Sequence, residues 1–141
     1  MSSKINLSFF KAYIELDKAC AERLGVAKNG VSAYIGRLVD YRFAPERSEV
    51  LPKLIKYRKC RNVIAHEENA FDEADEITKE DVQWVSRFAK SVSRKNDPVS
   101  RYERKARRYS IWRKVRLVLI AIAVLGVGAA TLIILKNAGM I

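Results

Sequence analysis

The sequence has one histidine, two cysteines and no glycine-rich phosphate-binding loop among its 141 residues. Cys20 and Cys60 lie far apart and lack the spacing of a zinc site, so neither a metal nor another cofactor is predicted. The missing glycine-rich loop disfavours nucleotide binding of the common phosphate-loop type. No stretch alternates polar and apolar residues with a period of two, so no β-strand is predicted.

Apolar residues recur instead at helical spacing, which predicts an all-α domain over residues 1–97. The first predicted helix, residues 8–24, carries such residues in steps of three and four and ends before Gly25. Thr78 and Asp81 predict a capping box at the start of another helix. The sequence therefore predicts a bundle of four to five helices, which over this domain cover residues 8–24, 31–43, 48–65 and 78–92.

The excess of basic residues is concentrated near the carboxyl end of the sequence. The net charge of the chain is +11, yet residues 1–98 contain 18 basic and 15 acidic side chains. Residues 99–141 contain 9 basic side chains and 1 acidic side chain. The helical domain is thus only mildly basic, and its charge alone does not predict nucleic-acid binding.

A long uncharged segment explains this distribution. Residues 117–135 contain no charged side chain, and as a helix they span roughly 28 Å at ~1.5 Å per residue. A buried core helix is the alternative, but a domain this small could hardly cover so long an apolar helix. We expect a basic juxtamembrane helix over residues 98–116, a transmembrane helix over residues 117–135 and a short tail over residues 136–141.

The flanks of this segment predict its orientation. Eight Lys and Arg residues lie between Arg101 and Arg116, whereas Lys136 alone follows the apolar run. Under the positive-inside rule this places the helical domain in the cytoplasm, attached to the cell membrane by a single carboxyl-terminal span in contact with membrane lipid. Cysteines in that compartment are expected to be reduced. The amino-terminal residues contain no apolar targeting segment.

The only histidine closes the sequence RNVIAH, residues 61–66, late in the third predicted helix. Asn62 and His66 are four residues apart and share a helical face with Arg58. Histidine suits proton transfer near neutral pH, and arginine matches the oxygens of a phosphate. We therefore take Arg61, Asn62 and His66 as candidate catalytic residues and Arg58 as a candidate substrate-binding residue. A histidine at a helix end is, however, more often a structural polar group.

The pattern of Arg61, Asn62 and His66 in a small helical bundle resembles the HEPN superfamily (higher eukaryotes and prokaryotes nucleotide-binding domain). The resemblance covers roughly residues 7–95 and implies a metal-independent RNA endonuclease with its active site at a dimer interface. It also implies a role as a toxin or phage-defence effector. The expected partners are RNA, a second copy of the chain and a neutralising or regulatory protein. Some proteins of the superfamily are not nucleases, so a non-catalytic membrane adaptor or dimerisation module is the alternative.

The segment directly after His66 is relevant to both the nuclease and the adaptor interpretations. Residues 67–76 contain six acidic side chains, and we expect them to form a solvated loop. Such a loop would repel RNA from a nearby cleft or hold Arg61 until a partner displaces it. A carboxylate metal site is a further alternative, although nothing in the spacing fixes its ligands.

Overall fold

The computed structural model of the chain describes residues 2–66 and 77–141. These residues form five α-helices and contain no β-strand, which confirms the predicted all-α fold. The acidic segment 67–76 lies outside the described residues. The helices are α1 (Ser2–Leu24), α2 (Gly30–Asp40), α3 (Arg47–His66), α4 (Lys79–Ser93) and α5 (Pro98–Asn137). The chain divides into two compact units, Met1–Glu103 and Arg104–Ile141.

The core of the first unit is built around α1, which packs against α2, α3 and α4. The predicted apolar stripe of α1 is buried as expected at Phe9, Tyr13, Leu16 and Cys20. Removing such side chains from water is the main stabilising term for a bundle of this kind. Among the side chains that α2, α3 and α4 add to this core are Tyr34, Leu38, Leu54, Tyr57, Val85 and Phe88.

Helix α2 is shorter than the predicted segment 31–43, because it ends at Asp40. The guanidinium of Arg47 donates a hydrogen bond of 2.6 Å to the carbonyl of Leu38, one of the last carbonyls of the helix. A side-chain donor at this point replaces the donor that a further helical turn would supply. Val39, near the end of the helix, is 51% exposed, and Phe43 lies beyond the helix at 86% exposure.

Helix α4 begins at the predicted capping box. The hydroxyl of Thr78 accepts a hydrogen bond from the Asp81 amide, and the Asp81 carboxylate accepts one from the Thr78 amide. Tyr57 of α3 also donates to Asp81, at 2.6 Å. Burial opposes ionisation of Asp81, but the hydrogen bonds from Tyr57 and Thr78 outweigh it and hold the pKa of this carboxyl below its usual value. Asp81 therefore caps α4 and fixes α3 beside it.

The first turn of α5 belongs to the first unit and is held there by a buried carboxylate. Asp97 is fully buried and accepts hydrogen bonds from the hydroxyl of Tyr34 at 2.6 Å and from that of Ser100 at 2.5 Å. Arg23 of α1 in turn donates to Ser100 and forms an ion pair of 2.6 Å with Glu103. The start of α5 is thereby tied to both α1 and α2.

The second unit consists of the remainder of α5 and the residues after it. This helix is long and apolar enough to cross a membrane, with a mean hydropathy of 2.9 over its most apolar stretch. None of that stretch is buried within the structure. It is therefore not a buried core helix, which was the alternative to a membrane span. Its exposed leucine, isoleucine and valine side chains match the properties of a membrane-spanning helix.

Helices α1 and α2 are in close backbone contact at Gly30. A Cβ atom at this position would lie 2.0 Å from the carbonyl oxygen of Asp17 and 2.3 Å from the amide nitrogen of Ala21. The side chain of Asp17 also accepts a 2.9 Å hydrogen bond from the amide of Val31, one of the unpaired donors at the start of α2. The absence of a side chain at Gly30 therefore sets the distance between the two helices.

We expect Gly30→Ala to destabilise the first unit, because the new methyl group would collide with backbone atoms that cannot rotate away. The free energy of unfolding should fall by ~1–3 kcal/mol or more, since this is the usual cost of overpacking a core. Gly36→Ala is the matched control in the same helix, since a Cβ atom there meets nothing within 4 Å. It should stabilise the helix by ~0.5–1 kcal/mol. Urea unfolding followed by circular dichroism measures both, and equal effects would contradict the packing described here.

Candidate phosphate-binding groove

Three of the four candidate site residues line one groove of the first unit. Arg58, Arg61 and Asn62 of α3 form one wall, and the carboxyl-terminal half of α1 faces them. The groove has a volume of about 820 Å³, which is within the range of small-molecule sites. The turn between α1 and α2 also contributes to the lining. The lining residues are Tyr13, Ile14, Asp17, Lys18, Ala21, Glu22, Gly25, Val26, Ala27, Lys28, Asn29, Ser32, Arg58, Arg61 and Asn62.

Hydrogen bonds orient both arginines. Arg61 donates from Nη1 to the side-chain oxygen of Asn62 at 3.2 Å. Arg58 donates from Nη1 to the hydroxyl of Ser32 at 3.5 Å, a long contact across to α2. A guanidinium has five N–H donors in a fixed plane, so one such bond leaves donors for the oxygens of a phosphate. The side chain of Asn62 is thus engaged with Arg61 in this structure.

Tyr13 adds a polar group that the sequence did not single out as functional. Its side chain is 4% exposed and lines the groove. Burial, reinforced by Asp17, raises the pKa of the phenol well above its usual value, although Arg61 and Arg58 are near enough to act against the shift. The hydroxyl is therefore neutral at physiological pH and carries a proton that it can donate. The sequence placed Tyr13 in the apolar stripe of α1, and no local signal indicates its proximity to α3.

His66 does not lie among the residues that line the groove. It is the last residue of α3 and is exposed, one turn or ~6 Å along the helix from Asn62. The structure therefore brings Arg58, Arg61 and Asn62 together within one chain and leaves His66 at the helix end. The residues that follow it are outside the described part of the chain.

Charges in the groove are mixed. Two lysines, Lys18 and Lys28, accompany the two arginines, and Asp17 and Glu22 are the acidic side chains in the lining. Asp17 is already engaged at the start of α2 through the amide of Val31. The surplus of cations favours an anionic ligand. Across residues 2–66 and 77–141, no group of three or more His, Cys, Asp or Glu side chains could hold a metal ion.

The comparison with known families covers most of the chain. Residues 7–127 match the model of DUF6548, a family of unknown function. The chain belongs to this family. The DUF6548 match includes most of α1 and all of α2, α3 and α4, and it extends into the apolar part of α5, so both units are represented in the family model. No curated protein and no solved structure matches the chain.

The two cysteines of this DUF6548 member are not disulfide-bonded and are both buried. Burial, with smaller contributions from Asp17 and Asp97, raises the pKa of the Cys20 thiol far above its usual value. A thiol becomes a nucleophile only as the thiolate. Cys20 is therefore a core residue and not a catalytic group.

We expect a maleimide reagent at neutral pH to leave both cysteines unmodified in the folded protein. After unfolding in urea, two maleimides per chain should be incorporated, since the two thiols then become accessible. Intact-mass spectrometry of the full chain in detergent measures the stoichiometry. Rapid modification of the folded protein at either cysteine would contradict the burial described here.

Proposed function

We propose that the protein is a membrane-anchored, metal-independent RNA endonuclease of the HEPN type, acting as a toxin or phage-defence effector. The observation that best supports this proposal is the pair formed by Arg61 and Asn62, hydrogen-bonded to each other at a groove that also contains Arg58. All three lie on the third helix, which ends at the exposed His66. The family match does not bear on this activity.

The proposed reaction is an internal transfer at a phosphodiester. A histidine accepts the proton of the ribose 2′-hydroxyl, whose oxygen attacks the adjacent phosphorus, and the bond from phosphorus to the 5′-oxygen breaks. A second proton donor protonates the departing 5′-oxygen, so the products are a 2′,3′-cyclic phosphate and a 5′-hydroxyl. Arg61 offsets the negative charge that accumulates on the phosphoryl oxygens, and Arg58 helps to bind the substrate. Proton transfer of this kind typically contributes ~10²–10⁴-fold to the rate.

The active site is proposed to form between two copies of the chain. The reaction needs a proton acceptor and a proton donor, and each chain contains one histidine. His66 is exposed and lies outside the groove of its own chain, where a second protomer can reach it. A two-fold arrangement with the ends of two α3 helices facing each other would supply two His66 and two Arg61 side chains to one cleft.

We expect the purified full-length protein to cleave single-stranded RNA in the presence of EDTA and to leave 2′,3′-cyclic phosphate ends. His66→Ala and Arg61→Ala should each lower the rate by at least ~10²-fold, because each removes a group acting on the reacting atoms. Arg58→Ala should have a smaller effect, mainly on substrate binding. Single-turnover cleavage of a labelled RNA measures these rates.

Two controls make this experiment specific. Arg87→Ala removes an exposed arginine of α4 that does not line the groove, and it should leave the rate unchanged. An RNA with 2′-O-methyl groups throughout should resist cleavage, because it lacks the attacking hydroxyl. Equal cleavage by the wild-type protein and His66→Ala would rule out the proposed active site.

A non-catalytic adaptor is the second candidate, because apolar side chains of α1 are exposed on and beside the groove. Ile14 lines the groove and is 49% exposed, and Leu7, two turns earlier on the same face, is 51% exposed. Such residues suit a protein ligand, including a neutralising or regulatory partner. Thermal unfolding of His66→Ala separates the candidates: loss of stability favours a structural histidine, and loss of cleavage alone favours the enzyme.

We further propose that α5 spans the cell membrane with the first unit in the cytoplasm. Eight basic residues between Arg101 and Arg116 precede the apolar run, and Lys136 follows it. The positive-inside rule assigns the strongly basic flank to the cytoplasmic face.

A cysteine at an exposed position tests this orientation, because the native cysteines are buried. A membrane-impermeant maleimide added to intact cells should label Ala138→Cys and should not label Lys59→Cys. After the cells are lysed, both variants should be labelled. Deletion of residues 117–141 should release the first unit into the soluble fraction. Labelling of Lys59→Cys in intact cells would show that the first unit lies outside the cell, opposite to the proposed orientation.

A further inference from the structure

One face of α5 in the second unit combines aromatic and basic side chains. Tyr109, Trp112, Arg113 and Arg116 follow one another at helical spacings of three, one and three residues, and Leu119 continues the same face. With Val115 they enclose a shallow depression of about 330 Å³. Tyr109 is 72% exposed and Trp112 is 69% exposed. No described residue of the second unit covers these rings.

The position of this face along the helix sets its chemistry. Arg116 is the last charged residue before the uncharged residues 117–135, so the depression lies where a spanning helix meets the headgroup region of a bilayer. Arg113 and Arg116 are one turn apart and can donate to the oxygens of a single phosphate. Tryptophan and tyrosine rings are most stable at this depth, with an apolar body toward lipid and a polar edge toward water.

We propose that this face of α5 is a binding site for an anionic phospholipid. The guanidinium groups of Arg113 and Arg116 hold the headgroup phosphate, and the apolar surface of Trp112 and Leu119 packs against the glycerol and upper acyl carbons. The proposal depends on α5 lying in a membrane and is independent of RNA cleavage.

The same stretch of helix provides an internal control, since its basic residues are not confined to one face. Arg107 and Lys114 carry the same total charge as Arg113 and Arg116. They lie roughly 140° around the helix from that pair, at ~100° per residue. They do not line the depression. If lipid binding came from general attraction to an anionic surface, it would depend equally on the two pairs of basic residues. Binding at a specific site would depend on Arg113 and Arg116 only.

The experiment uses the full-length protein in nanodiscs of zwitterionic lipid containing a minor fraction of phosphatidylglycerol. After extraction in mild detergent, native mass spectrometry counts the phosphatidylglycerol that remains bound to each chain. We expect the wild-type protein and the double variant Arg107→Ala/Lys114→Ala to retain it. The double variant Arg113→Ala/Arg116→Ala should lose at least ~10-fold in retention, as expected for two charge-assisted phosphate contacts. Adding excess inorganic phosphate should not displace the lipid, because phosphate lacks the acyl chains.

Equal retention by the two double variants would overturn the proposal, since it would show either general surface attraction or no binding. Displacement by inorganic phosphate would also overturn it, because the site would then recognise the phosphate alone. A protein that fails to enter nanodiscs would instead contradict the membrane-spanning role of α5. RNA cleavage by Arg113→Ala/Arg116→Ala is measured in parallel, and an unchanged rate separates this site from the groove of the first unit.

Discussion

The first unit depends on the hydrogen bonds that the buried carboxylate of Asp97 accepts. An unpaired charge in a core costs several kcal/mol, so Asp97 is tolerable only because hydroxyl and amide donors surround it. Tyr34 supplies one of these donors from the middle of α2, 63 residues away in the sequence. Burial, reinforced by the hydrogen bond to Asp97, raises the pKa of Tyr34 well above its usual value, so the phenol keeps the proton that it donates. The contact of α2 with the start of α5 therefore adds to the contacts that α1 makes there through Arg23.

The groove is assembled by contacts of the same kind, made between helices and not within them. Gly30 permits the close approach of α1 and α2, and Asp17 reaches across to the first amides of α2. Tyr57 and Asp81 join α3 to α4 on the other side of the bundle. The position of the arginines of α3 relative to Tyr13 is thus a property of four helices together. Residues of α1, α2 and α3 together line the groove.

Much of the fold could be predicted from the sequence, because helical periodicity and capping are local. The stripe of α1 and the capping box at Thr78 follow from spacings of three and four residues. The contacts between distant segments could not be predicted. The hydrogen bond between Tyr34 and Asp97 joins residues 63 positions apart and has no signature in either neighbourhood of the sequence.

In the candidate site, too, local features could be predicted and contacts between distant segments could not. The grouping of Arg58 and Asn62 could be predicted, since they are four residues apart on one helix, whereas the contribution of Tyr13 could not. The separation of His66 from the groove could not be predicted, because the end of α3 was expected within one residue but the extent of the groove along that helix depends on the packing of α1 and α2.

The position of His66 at the end of α3 has a kinetic consequence. A site that requires a histidine from each of two chains is formed by collision, so its abundance rises with the square of the protomer density until pairing saturates. Confinement to a bilayer restricts those collisions to a plane and increases the local concentration of chains. Under the proposed mechanism, a cell with few copies would contain almost no assembled sites. A modest rise in copy number, or clustering of existing copies in one patch of membrane, would then switch the activity on steeply.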